Sequence, residues 1–93
     1  MSRYPTKITD EMLAKSSHIS DETIEKDIQD TMSEIDQLLA EYNLYRETTD
    51  RMESFRQLSR LDGIQQRQDF VNFLTAIMDK RKEKREKCYN SIL

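Results

Sequence analysis

The 93-residue chain has one proline (Pro5), one glycine (Gly63), one cysteine (Cys88), one histidine (His18) and no tryptophan. Each shortage excludes something. Proline and glycine are the strongest helix breakers, so from Ser20 to Leu61 nothing of that kind interrupts a helix. A lone cysteine rules out an internal disulfide, and with His18 it falls short of the three protein ligands a zinc site needs. No apolar run approaches the roughly 18 residues of a membrane span, and Met1-Ser2-Arg3-Tyr4 opens without the apolar core of a secretory signal. The expected setting is the reducing cytoplasm, with no membrane span. Also missing are a glycine-rich phosphate loop, the D-x-D-x-D-G of a calcium loop and the Glu-x-x-His of a di-iron bundle. No enzyme activity, cofactor or metal is therefore expected.

What is present is charge and regular apolar spacing. Apolar residues are 35% and charged residues 35%, against the usual values of about 45–50% and about 25%. That balance suits long helices with narrow apolar seams in one small domain. A chain of this size buries roughly 60–65% of its unfolded surface, so a protein partner, identical or not, is expected to supply further burial. The net charge of −3 conceals a polarity. Acids dominate from Asp21 to Glu41, and bases dominate from Lys80 to Lys87, led by Lys80, Arg81, Lys84 and Arg85. These ends attract each other within a hairpin or between chains packed head to tail.

The spacing predicts an all-α fold: two long amphipathic helices and a shorter one, in a small bundle or coiled-coil hairpin. Residues 1–19 read as a tail, mobile or docked late, with Thr9 or Asp10 able to cap a short turn through Ala14. Residues 20–93 read as one helical domain. Ser20 is a good N-cap, with Asp21 and Glu22 at the positive end of the helix dipole. Ile24, Ile28, Met32, Ile35, Leu38, Leu39, Tyr42 and Tyr45 then follow at steps of three and four over a helix at about 21–47. Past Thr48 the apolar residues shift to Met52, Phe55, Leu58 and Leu61 at steps of three, which rotates the stripe around the helix. A break near Thr48–Asp50 and a short helix at 50–61 are expected; one continuous rod is the alternative. Asp62-Gly63 reads as a second boundary, Gly63 closing one helix and Asp62 opening the next at 64–88. That last helix presents Val71, Leu74, Ile77 and Met78, widened by Phe70 and Phe73.

The expected function is protein–protein interaction: an adaptor, small regulator or non-catalytic subunit acting through helix faces, as a homo-oligomer or in a hetero-complex. The candidate partner-binding residues are Ile28, Met32, Ile35, Leu38, Leu39, Tyr42, Tyr45, Val71, Leu74, Ile77 and Met78. The spacing does not divide these between internal core and partner-facing surface. Lys80, Arg81, Lys84 and Arg85 are the candidate electrostatic residues. They also carry the alternative, a small helical nucleic-acid-binding regulator gripping phosphates with the basic end of its last helix. Tyr89 is the one aromatic beside them. Leu44-Tyr45-Arg46 is similar to the tripeptide of the mitochondrial LYR family, small three-helix assembly factors and complex subunits. That family is basic and carries the motif in its first helix near the N-terminus. Here it lies forty residues in, near a helix end, and no functional residue is carried over. Ser91-Ile92-Leu93 resembles the C-terminal pattern that PDZ-type domains take up as an added strand.

Overall fold

A computed structural model describes residues 4, 5 and 7–92, the last five of them as backbone only. Cys88, Tyr89 and the Ser91-Ile92-Leu93 pattern thus lie outside the described side chains. The fold is all-α: α1 spans Asp10–Lys15, α2 Asp21–Leu44 and α3 Arg51–Ile92. The 42 residues of α3 rise about 63 Å at 1.5 Å each. That matches the long dimension of the molecule, 63 × 23 × 20 Å. Helix α2 packs antiparallel along α3, and α1 lies against α3 near the far end of the hairpin.

Local chemistry sets most helix ends. Ser20 caps α2, its Oγ accepting from the Thr23 amide at 3.1 Å. Thr9 caps α1, accepting from the Met12 amide at 3.2 Å. Between α2 and α3 the chain turns at Tyr45–Asp50. There the Asp50 amide donates to Thr48 Oγ1 at 3.2 Å, and the Met52 amide donates to Asp50 Oδ1 at 3.1 Å. These short polar side chains satisfy amides that a helix start leaves open.

Two expectations are corrected. No boundary occurs at Asp62-Gly63: α3 runs straight through, and Gly63 has no positive φ. Asp62 accepts from Gln66 one turn on, as a mid-helix residue does. Glycine inside a helix costs about 1 kcal/mol, less than losing the ladder and the packing on both sides. The second correction concerns the N-terminal segment. Ile8 and Leu13 are buried with Ile24, Leu74 and Ile77 in the main core cluster. Tyr4 stacks on Phe73 and tilts against Phe70, ring centroids 5.1 and 5.5 Å away. The described part of the segment read as a tail is thus docked, with Tyr4, Ile8, Met12 and Leu13 forming a third layer of the core. Six residues of α1 are too short to hold a helix alone, so its order comes from these contacts and its capping box.

The hairpin seam has a spacing of four and three throughout. On α2 the covered positions are Ile24, Ile28, Thr31, Ile35, Leu38 and Tyr42. On α3 they are Glu53, Gln57, Arg60, Ile64, Arg67, Val71, Leu74, Met78 and Arg81, all buried or half-buried. The α3 seam is therefore polar near the turn and apolar toward the other end.

Candidate protein-interaction surface

At the turn end, the polar seam is a connected network. Gln57 Nε2 donates to the Tyr42 carbonyl at 2.8 Å, satisfying one of the carbonyls that the end of α2 leaves open. Arg60 Nη1 donates to Glu53 Oε1 and Gln57 Oε1, each at 2.7 Å, and its guanidinium lies 5.0 Å over the Tyr45 ring. Arg56 bonds the other Glu53 oxygen at 3.1 Å. The hydrogen bond from Arg60 holds the Glu53 carboxyl below the usual glutamate range, and Glu53 in turn raises Arg60. No buried side-chain polar atom among the described residues lacks a partner.

Because polar side chains occupy the α3 seam there, its apolar residues point away from the hairpin. Met52, Phe55, Leu58 and Leu61 are 63%, 67%, 64% and 44% exposed. A shallow groove on this face is lined by Arg51, Ser54, Phe55 and Leu58. Leu44, Tyr45, Leu39 and Met32 are further large apolar side chains left exposed on α2 and its C-cap. The two ends of the molecule thus differ. One is roofed by α1 and Tyr4; the other is a bare two-helix hairpin with an apolar outer surface.

The residues expected from sequence divide accordingly. Ile28, Ile35, Leu38 and Tyr42 are half-buried in the seam facing α3, and Val71, Leu74 and Ile77 are buried with Met78 half-buried beside them. Met32, Leu39 and Tyr45 are exposed. From Ile24 the seam passes through Thr31 rather than Met32, so Met32 and Leu39 sit one residue, about 100°, off it. Phe55, Leu58, Met52 and Leu61 were not among the expected site residues. Their signal was the run of steps of three, which carries them out of the four-and-three seam.

The basic residues are engaged within the chain. Arg81 donates to Asp21 Oδ1 at 2.8 Å and to the Ser16 carbonyl, at the C-cap of α1, at 2.7 Å. Arg85 reaches Asp21 Oδ2 at 3.2 Å, Lys84 meets Asp10 at 2.9 Å, and Lys80 lies 3.7 Å from Glu83. Hydrogen bonds from Arg81 and Lys84 hold the Asp21 and Asp10 carboxyls below the usual aspartate range. The charge polarity therefore operates inside the hairpin, tying α1 and the start of α2 to α3.

Among the described residues no group of three His, Cys, Asp or Glu side chains is placed to hold a metal ion. No described helix is long and apolar enough to cross a membrane. Comparison with protein-family models, curated proteins and solved structures finds no match, so what the chain does must be argued from this geometry.

Proposed function

We propose that the protein is a non-catalytic interaction module, an adaptor, small regulator or subunit of a larger assembly, that binds a protein partner through the outer face of the hairpin's turn end. The observation that carries this reading is the run Met52, Phe55, Leu58 and Leu61, exposed on the turn end of a helix whose seam side there is polar. Scattered exposed apolar residues are ordinary, but here Phe55 and Leu58 stand about 60° apart on the outer face with Met52 and Leu61 flanking them, a clustered apolar surface of the kind that helix-mediated recognition uses. The network behind it fixes the phase of α3, so the face is presented rigidly and little ordering is needed on binding. A reducing, cytoplasmic setting accords with the single cysteine.

The nucleic-acid reading has less support, since Arg81, Lys84 and Arg85 already pair with Asp21 and Asp10. A photo-crosslinking residue at position 58, used in the native source, is expected to capture a defined protein. The same residue at exposed, polar Gln29 on α2 is expected to capture none. Equal capture at both positions would refute the reading. Steeply salt-dependent capture of DNA or RNA by the purified chain would favour the alternative.

A further inference from the structure

We propose that the outer face of α3 pairs antiparallel with the same face of a second copy of this chain, about a two-fold axis between Arg56 and Gln57. The inference rests on the interaction-module reading and names its partner.

Arg51, Phe55, Leu58 and Asp62 follow one another at steps of four, three and four. At about 100° per residue they lie within roughly 60° of one another, on the side of α3 opposite the seam. That is the spacing by which one helix packs against another. The stripe is apolar in the middle and oppositely charged at its ends. Antiparallel pairing brings Arg51 level with Asp62 of the second copy, and Asp62 level with its Arg51. Parallel pairing would instead oppose Arg51 to Arg51 and Asp62 to Asp62. The charges thus select the antiparallel arrangement. Among the described residues neither Arg51 nor Asp62 forms an ion pair, Asp62 accepting only the neutral Gln66 amide at 2.8 Å.

The groove supports the same register independently. Its lining residues, Arg51, Ser54, Phe55 and Leu58, stand at i, i+3, i+4 and i+7, a four-residue hole of the kind that receives one side chain from a facing helix. In the antiparallel register the side chain level with that hole is Leu58 of the second copy. By symmetry Leu58 of the first copy enters the second copy's hole, and Phe55 lies beside it.

The area sets the strength. Phe55 and Leu58, on the stripe itself, are 67% and 64% exposed, roughly 100 Å² of apolar surface apiece, while Met52 and Leu61 stand about 90° to either side of it. Two copies bring together on the order of 400 Å² of apolar surface at the centre of the contact, below the standard interface size and suited only to weak, reversible pairing.

Sedimentation equilibrium of the full chain tests this. A reversible dimer is expected between about 10 and 500 µM. Arg51→Asp and Asp62→Arg each turn both symmetric contacts repulsive, and each is expected to weaken the dimer roughly tenfold at low salt. The double variant Arg51→Asp/Asp62→Arg restores opposite charges across the interface and should return to within about threefold of wild type. Phe55→Lys should remain monomeric with unchanged helix content, since Phe55 is 67% exposed in the single chain. A wild-type chain that stays monomeric, a dimer indifferent to Phe55→Lys, or single variants whose defects simply add in the double would each overturn the inference. A monomer that still crosslinks through position 58 to a different protein would overturn it while leaving the module reading in place.

Discussion

Replacing Gly63 with alanine tests the path of α3 at the point where sequence and structure disagree. In α3 the glycine is an ordinary helical residue, without a positive φ. Alanine is preferred there by about 1 kcal/mol, because it loses less backbone freedom on folding. The added Cβ would stand 3.5 Å from Leu38 Cδ1, an ordinary contact, and 3.1 Å from Arg67 Nη1, which is tight. That nitrogen is the far end of a flexible side chain and has only to move by a few tenths of an ångström. Its bond to the Gly63 carbonyl, at 3.1 Å, is the contact at risk, while Arg67 Nε keeps Glu34 at 3.1 Å. Subtracting that adjustment leaves a net stabilisation of roughly 0.5–1 kcal/mol, or about 2–8 °C in Tm for a domain of this size. Urea denaturation followed by circular dichroism at 222 nm should show a higher midpoint at unchanged slope. If Gly63 instead closed a helix in the left-handed conformation, alanine would cost about 1 kcal/mol. A lowered midpoint would therefore refute the continuous helix.

Leu74→Ala, in the centre of the buried cluster, should lower stability by about 2–4 kcal/mol, read as a fall in the urea midpoint, because little around it can collapse into the space. Leu13→Asp should detach α1 while α2 and α3 stay helical; hydrogen exchange should lose protection at Met12–Ser16 and keep it across Ile64–Val71, and loss in both segments at once would show that α1 is not a separable layer. Stability should fall with acid in a defined direction. Asp10, Asp21, Glu53 and Glu83 are held below the usual carboxylate range, chiefly by hydrogen bonds from Lys84, Arg81, Arg60 and Lys87 respectively. The unfolded chain then binds more protons than the folded one, so their contribution is complete above the ordinary carboxylate range and is lost as the pH drops below about 4. A urea midpoint unchanged between about pH 6 and pH 3 would contradict it.

The all-α class, the start of α2 at Ser20 and the turn near Thr48–Asp50 were legible because each depends on residues within one helical turn. The errors lay where distant contacts decide. Asp62-Gly63 has the composition of a helix boundary, but Leu38 on α2 and the seam on either side hold α3 straight. The N-terminal segment spreads its larger apolar residues, among them Tyr4, Ile8, Met12, Leu13 and Ile19, without a sustained helical period, too little pattern to predict order. They become core because Phe70, Phe73 and Ile77 turn toward them on a face of α3 that α2 leaves open. Thr31 displaced Met32 from the seam for a related reason. Apolar identity alone favours Met32, but the alternating steps of four and three from Ile24 through Ile35 to Tyr42 reach Thr31.

The surface proposed for binding follows from a polar choice inside the fold. Had the first turns of α3 used Phe55 and Leu58 against α2, the hairpin would have been apolar along its whole length, with nothing unusual outside. Instead Glu53, Gln57 and Arg60 occupy those inner positions and are held there by the Tyr42 carbonyl, Glu41 and the Tyr45 ring. Burying such groups adds little stability beyond an apolar seam, and each becomes costly if its partner is lost. What the network provides is a single rotational setting for α3. Rotating the helix to bury Phe55 and Leu58 would break the contacts of Gln57 with the Tyr42 carbonyl and of Arg60 with Glu41 and the Tyr45 ring together, and would carry the Glu53–Arg60 pair out of the seam. The same contacts that specify the hairpin therefore hold its apolar row outward, where only another molecule can cover it.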